Sequence, residues 1–228
     1  MSFLKLDLHI HTIYSGDSLI TPSDAINYAR IKGLNGFAVC DHDTLKGYNF
    51  LKYKAKKHNL IVIPGMEIYT DIGEVLCLFI DKELDVNDNS FFNIIDQIRD
   101  NNGLVVIPHP FDFMRDNHLK MNLLNDNLIK KYIHGIEIIN SRIIFKRCVK
   151  KAQNFCDKHR LFETGGSDAH TKKEIGTGYT LIRDVEDNSL EILRESLLEH
   201  KSKSSGKLSN PLVHVYTVLN KLRKRMYF

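Results

Sequence analysis

The sequence lacks the patterns that would place it among membrane, secreted or disulfide-stabilised proteins. Its longest apolar runs are too short to span a bilayer, and its first residues lead into a predicted strand without a signal-peptide pattern. The four cysteines form no C-x-x-C pair and are predicted to be small buried side chains. We therefore predict a cytoplasmic protein with reduced thiols and no membrane partner.

An excess of charge of one sign is also missing, since the net charge is only +4. Much of this small positive charge lies in Lys221, Arg223, Lys224 and Arg225. Such a cluster is more typical of a solvated helix face than of a phosphate-binding surface. It leaves a nucleic-acid partner as the second choice. The 228 residues, 43% of them hydrophobic, are enough for one large domain. Nothing in the sequence indicates the oligomeric state.

Strand-like and helix-like segments alternate along nearly the whole chain, with Thr21, Thr44, Ser90 and Ser189 as predicted helix caps. This alternation predicts a mostly parallel sheet with helices outside. Polar groups at the ends of several strands favour a closed α/β barrel over an open doubly wound sheet. We predict a barrel over residues 1–200. Residues 201–228 are predicted to form a mobile Lys/Ser/Gly loop and then a basic amphipathic helix packed on the barrel.

The first predicted strand carries His9 and His11 near its end. Side chains two residues apart on a strand point to the same face, so these imidazoles lie side by side and form half of a metal site. A lone histidine would be read as an ordinary core residue. Here, other segments also place His, Asp or Glu at a strand end, namely 40–43, 64–67, 73–74, 108–110 and 165–170.

These residues supply mixed nitrogen and oxygen ligands and no thiolate, which suits Zn, Mn or Fe. Five histidines and four carboxylates are enough for two or three ions, with water completing the coordination. Two ions about 3.5–4 Å apart share a hydroxide and clamp a phosphorus atom between them. The pattern therefore predicts hydrolysis of a phosphate ester by attack of a metal-bound hydroxide.

The motifs, in their order along the chain, resemble the PHP (polymerase and histidinol phosphatase) family. They are Asp-Leu-His-x-His-Thr, Ser-x-Asp, Asp-His-Asp, Pro-Gly-x-Glu, His-Pro and Gly-Ser-Asp-Ala-His, and the resemblance covers about residues 5–185. It implies a distorted (β/α)7 barrel with a cluster of two or three divalent metals at the C-terminal ends of its strands. It also implies phosphoester hydrolysis.

The resemblance further implies which residues hold the metals. One ion would be held by His9, His11, Glu67 and Asp168. Glu67 would bridge to a second ion, which also takes His109 and, where many family members have a histidine, Glu74. A third ion would be held by Asp17, His42 and His170.

Other residues are predicted to support or perform the reaction. Asp7 and Asp43 are placed to accept the second imidazole N–H of a ligand, and Glu137 and Asn140 resemble supporting residues of the family. Asp43, Arg115 and His170 are the predicted catalytic residues. Asp43 would move a proton, and the planar guanidinium of Arg115 would bind a phosphate dianion.

Three functions remain open from the sequence. The first is a metal-dependent phosphoesterase acting on a small phosphorylated substrate, either a monoester or a diester. The second keeps the metals but acts on nucleic acid, as a 3′–5′ exonuclease or another phosphodiesterase. The third is a metal-free binding or scaffold barrel, which the occupied ligand positions disfavour.

Overall fold

The computed structural model describes residues 3–183 and 187–209. Within these ranges the strands are β1 Phe3–Ile10, β2 Gly36–Val39, β3 Ile61–Thr70, β4 Gly73–Leu78, β5 Leu104–Ile107, β6 Gly135–Asn140, β7 Phe162–Gly166, β8 Gly178–Arg183 and β9 Ser202–Gly206. The helices are α1 Pro22–Ile31, α2 Lys46–Lys56, α3 Phe91–Asp100, α4 Asp126–Tyr132, α5 Lys146–His159 and α6 Leu190–Leu198. None of the described helices is long and apolar enough to cross a membrane.

The described strands form one sheet in which β1 to β7 are neighbours in chain order. The pairs β1/β2, β2/β3, β5/β6 and β6/β7 are parallel. Because β4 pairs antiparallel with both β3 and β5, it begins at the edge where the parallel strands end. The predicted α/β barrel is confirmed, although the sheet contains more antiparallel pairing than the sequence pattern indicates.

The sheet closes nearly into a barrel where β7 meets β1 and the antiparallel pair of β8 and β9. The amide of Asp168 donates to the carbonyl of His9 at 2.7 Å, and the amide of His11 donates to the carbonyl of Ala169 at 3.0 Å. The Thr180 hydroxyl lies 2.8 Å from the amide of Gly165. These bonds bring the end of β7 next to the end of β1, and so join the first and last predicted metal-binding segments.

Helices cover the outside of the sheet through apolar stripes. Ile94, Ile95 and Ile98 of α3 are buried in one cluster with β3, β4 and β5, and Leu193 and Leu197 of α6 pack on β1 and β8. Each such buried side chain contributes about 1.5–3 kcal/mol to stability. Two of the four predicted caps are confirmed, since Thr21 accepts from the amide of Asp24 and Ser189 from that of Ile192. The other two are wrong: Leu45, not Thr44, stands at the cap of α2, and Ser90 makes no side-chain hydrogen bond at the cap of α3.

The prediction of a mobile loop at 201–210 is wrong, because Ser202–Gly206 is strand β9, paired antiparallel with β8. Ser204 also donates to the Glu163 carboxylate through its amide and its hydroxyl, at 3.0 and 2.6 Å. Tertiary pairing thus orders a segment whose polar composition is typical of a loop. The predicted C-terminal basic helix lies outside the described residues.

Candidate metal centre

The nine residues predicted as metal ligands converge at one end of the barrel. The predicted ligands found there are His9, His11, Asp17, His42, Glu67, Glu74, His109, Asp168 and His170. All are buried except His42, which is partly exposed. They reach this edge from the ends of β1, β2, β5 and β7, from the start of β4 and from within β3.

His9 and His11 lie side by side, as their spacing predicts. The Nε2 atoms of the two rings are 3.1 Å apart. Nδ1 of His9 lies 3.0 Å from the Glu137 carboxylate and therefore donates its proton there, and Nδ1 of His11 lies 3.1 Å from the Ser15 hydroxyl. The Nε2 atoms thus face one another and the Glu67 carboxylate, an arrangement that suits a shared cation.

Glu67 occupies the middle of the cluster, with its two oxygens facing different imidazoles. Oε1 lies 3.1 Å from Nε2 of His109. Oε2 lies 3.2 Å from Nε2 of His11 and 3.6 Å from Nδ1 of His42. This geometry suits the bridging role that the resemblance implies. Contrary to the sequence pattern, Glu67 does not follow its strand, since β3 continues through Pro64 to Thr70.

A second group of ligand atoms surrounds Asp17. Oδ2 of Asp17 lies 3.2 Å from Nε2 of His170 and 3.5 Å from Nε2 of His42. His11 belongs here as well, because the four residues offer ligand atoms that all lie within 4.8 Å of one another. His11 therefore adjoins both this group and the pair with His9. The division of ligands among three ions stays a prediction.

Glu74 lies beside His109, at 3.4 Å between Oε2 and Nε2, and Asn117 donates a hydrogen bond to its other oxygen. Burial and the negative charge of Glu67 raise the pKa of Glu74 to about 9. Among the described residues, Oε2 of Glu74 is buried without a hydrogen-bond donor. An unsatisfied buried carboxylate oxygen is costly, and a divalent cation would satisfy it. The side chains present therefore fit the implied metals.

The charged groups of the cluster shift one another's pKa values far from those of the free side chains. Burial opposes the imidazolium of His11, yet hydrogen bonds with Asp168 and Glu67 raise its pKa to about 10. Burial likewise opposes the carboxylate of Asp17, but hydrogen bonds from His170 and His42 lower its pKa well below the usual range. Raised pKa values at His9 and His11 favour protons that balance the carboxylates, and binding of a metal by these two rings would release those protons.

The backbone is strained at two ligands. His109 has φ +28° and Asp168 has φ +53°, values that side chains other than glycine rarely adopt. Pro108 and Pro110 restrict the backbone beside His109, and the hydrogen bond from the Asp168 amide to β1 holds the other turn. Such strain persists where the surrounding structure fixes it, which is common at functional sites.

Arg115 does not extend freely from its loop as the phosphate-binding prediction assumes. Its Nη2 lies 2.6 Å from Oδ2 of Asp168, and its Nε lies 3.3 Å from the Asp112 carboxylate. Arg115 therefore points into the site and lowers the pKa of Asp168 well below its usual range, against the effect of burial. Asp112, which orients this guanidinium, was not predicted from the sequence.

Asp7 and Asp43 do not accept imidazole N–H groups within the described ranges. Asp7 instead accepts from the amide and hydroxyl of Ser167 at 2.8 and 2.5 Å, and from the amide of Gly176 at 2.8 Å. It thereby holds the turn that carries Asp168. Asp43 is exposed beside His42, and partial burial of its carboxyl group raises its pKa.

Glu137 takes the role predicted for Asp7, since it accepts from His9. It also accepts from the amide of His109 at 2.8 Å and from Asn140 at 2.9 Å. These hydrogen bonds fit the supporting role predicted for Glu137. Asn140 lies 3.3 Å from Asp168 as well.

Sequence reasoning missed three buried charged residues around the ligands. Asp41 accepts from the amide and hydroxyl of Thr12 at 2.5 and 2.7 Å. Nη1 of Arg142 lies 2.6 Å from Nδ1 of His170, and Glu174 accepts from the amide of His170 at 3.1 Å. Asp41 follows a buried strand, and this position could have identified it as a candidate site residue. Arg142 and Glu174 lie in ordinary polar segments, which give no such indication.

Comparisons with known proteins agree with this geometry. The PHP domain model matches residues 7–159, and the PHP-associated model matches residues 149–202. A protein of Methanocaldococcus jannaschii, described as uncharacterised, is 35% identical over 177 residues, which are 77% of this chain and 69% of that protein. A 5′-3′ exoribonuclease of Haemophilus influenzae is 37% identical over 67 residues, 29% of this chain and 24% of the enzyme.

The fold also matches solved structures. A two-domain protein from Bacteroides vulgatus, described as containing a PHP-like metal-dependent phosphoesterase, superposes with a TM-score of 0.77. The superposition covers 98% of this chain and 70% of that one at 17% sequence identity, so it supports the fold alone. The domain match covers well over half of the sequence and contains most of the converging ligands. The chain therefore belongs to the PHP domain family.

Proposed function

We propose that the protein is a metal-dependent phosphoesterase acting on a small phosphorylated substrate. The observation that carries the proposal is the 3.1 Å approach of the His9 and His11 Nε2 atoms, with the Glu67 carboxylate beside them. Buried imidazoles and carboxylates in such an arrangement are suited to a cluster of cations rather than to packing. The family supports phosphoester hydrolysis as the reaction of this cluster.

Hydrolysis forms a bond from a water oxygen to phosphorus and breaks the ester P–O bond, and the departing alcohol oxygen gains a proton. When bound, two or three divalent ions (Zn, Mn or Fe) would supply water acidified to a pKa of about 7 and positive charge for the phosphoryl oxygens. Arg115 would add a further cation, since its Nη1 makes no hydrogen bond within the described ranges while Nη2 and Nε hold it on Asp168 and Asp112.

Two other chain groups have proposed parts in proton transfer and positioning. Asp43 is exposed to solvent beside His42, a position from which a carboxyl group can pass a proton to a leaving alcohol. His170 is enclosed between Asp17 and Arg142. That enclosure favours the ligand role of His170 over the catalytic role that the sequence also allows.

The test uses purified protein and p-nitrophenyl phosphate. We expect hydrolysis that is lost on exhaustive chelation and restored by Mn or Zn, with metal analysis giving two or three equivalents. His9→Gln should lower both activity and metal content strongly, because it removes one of the facing Nε2 atoms. His58→Gln, at an exposed histidine, is the matched control and should change neither. Activity that survives complete metal removal would reject the proposal.

A second candidate function is hydrolysis of nucleic-acid phosphodiesters. The similarity to the H. influenzae exoribonuclease favours it, but that similarity spans only 67 residues. Metal-dependent shortening of a single-stranded oligonucleotide at rates above those for phosphate monoesters would support this candidate. Protein that binds less than one equivalent of metal after reconstitution would instead point to a binding or scaffold barrel.

A further inference from the structure

Two phenylalanines stack on each other in the loops that follow β5 and β6. The ring centroids of Phe113 and Phe145 are 5.1 Å apart with planes inclined by 22°. Both stay open to solvent, with 47% and 37% of their surfaces exposed. Met114 beside them is 61% exposed. Exposed apolar groups gathered in one place are uncommon unless they meet a ligand or partner.

The two rings belong to the loops that deliver arginines to the ligands. Phe113 is two residues from Arg115, which contacts Asp168, and Phe145 is three residues from Arg142, which contacts His170. An extended residue spans at most about 3.6 Å, so the Cα of Phe113 lies within about 7 Å of that of Arg115. The stacked pair therefore lies on two loops that both contribute a side chain to the site.

A third side chain, Arg147, packs against both rings. The guanidinium carbon of Arg147 lies 4.4 Å from the centroid of Phe113 and 5.0 Å from that of Phe145. No ion pair with a carboxylate holds Arg147 among the residues that the structure describes. A guanidinium beside two aromatic rings forms a surface on which another planar ring can stack.

We propose that Phe113, Phe145 and Arg147 bind a planar aromatic ring carried by the leaving group of the substrate. The favoured substrates are then phosphate esters of ring-bearing alcohols, with nucleosides as the natural form. This inference rests on the proposed phosphoesterase function and specifies its substrate class. Stacking of a base on aromatic side chains strengthens binding by about tenfold to a hundredfold, so the ring should raise kcat/KM by a factor of that order.

The experiment compares two monophosphates on the Mn-loaded full chain, adenosine 5′-monophosphate and ribose 5-phosphate. Both contain ribose, and only the first carries an aromatic base. The natural protein should prefer the nucleotide by about tenfold or more. In Phe113→Leu and Phe145→Leu, which keep an apolar side chain but remove the ring, the ratio of the two kcat/KM values should fall toward one. Phe92→Leu, at a phenylalanine 46% exposed on α3, is the matched control and should keep the ratio.

Equal kcat/KM values for the two esters in the natural protein would overturn the inference, as would a ratio unchanged by the leucine variants. If neither ester is hydrolysed, p-nitrophenyl phosphate still tests the phosphoesterase proposal by itself, and calorimetric binding of the same two compounds decides the inference. Tighter binding of the nucleotide that is lost in Phe113→Leu supports the stacking surface. Equal binding of both compounds overturns it.

Discussion

The Glu137 carboxylate lies 3.0 Å from Nδ1 of His9, and both side chains are buried. Its other oxygen accepts from the amide of His109 at 2.8 Å. One carboxylate from β6 therefore orients a ring on β1 and a backbone segment after β5. Because it fixes the His9 proton on Nδ1, it leaves Nε2 available as a ligand.

We predict that Glu137→Gln weakens metal binding by about 10- to 100-fold, the usual effect of losing a carboxylate behind a ligating histidine. Competition with a chromophoric chelator measures this affinity. The matched control is Glu163→Gln, whose carboxylate accepts from Ser204 and contacts no ligand within the described ranges. Equal affinities in the two variants would show that Glu137 has no part in orienting His9.

Gly166 allows β7 to approach β1 next to the site. A Cβ at this position would stand 2.4 Å from the His9 Cβ and 2.8 Å from Oε1 of Glu137. Gly166→Ala should therefore displace His9, lower stability by about 1–3 kcal/mol and lower metal affinity. Urea denaturation and metal titration measure the two effects.

The control for that substitution is Gly33→Ala. Gly33 has φ +63° and no atom within 4 Å of an added Cβ, so its cost of about 1–2 kcal/mol is backbone strain alone. Metal affinity should stay unchanged in Gly33→Ala. If it falls equally in both variants, the effect of Gly166→Ala is general destabilisation.

Asp7 connects β1 to the turn after β7. Its carboxylate accepts three hydrogen bonds from Ser167 and Gly176, and Asp7→Asn turns an amide NH2 toward some of those donors. We expect a loss of about 2–4 kcal/mol in the free energy of unfolding, since donors left unsatisfied in the interior are costly. Asp24→Asn, at a helix-capping contact on the surface, should cost less. A smaller loss in Asp7→Asn than in Asp24→Asn would contradict this account.

Cys156 should be unreactive in the folded protein. Burial and the negative charge of Glu163 raise the pKa of its thiol to about 12, compared with an unfolded value near 9. At pH 8 we expect iodoacetamide to modify Cys156 in urea but not in buffer, as measured by mass spectrometry of the peptide that contains it.

The same pKa shift gives a pH dependence of defined sign. Between pH 9 and pH 12 the unfolded chain releases the Cys156 proton while the folded chain keeps it, so rising pH favours unfolding. Cys156→Ala removes this contribution. The natural protein should therefore lose its advantage over the variant in free energy of unfolding as pH rises from 9. An advantage that grows with pH would contradict the raised pKa of Cys156.

Local sequence patterns were enough to predict those features that the backbone conformation of a single segment determines. The two-residue period of a strand places His9 and His11 on one face whatever surrounds them, and hydroxyl caps at Thr21 and Ser189 satisfy amides within the next turn. Alternating strands and helices likewise indicated the α/β barrel. The order of the motifs resembles that of a known family. This resemblance predicted that the ligands lie together at one edge of the sheet.

The sequence by itself thus determined the fold class and the ligand types, because both follow from short-range periodicity and from the chemistry of histidine and carboxylate. Only the tertiary structure decided the partners of those ligands. Glu137 meets His9 across 128 positions of chain, and β9 forms because β8 offers it an open edge. Closure of the barrel sets such contacts, and no pattern within a segment carries that information.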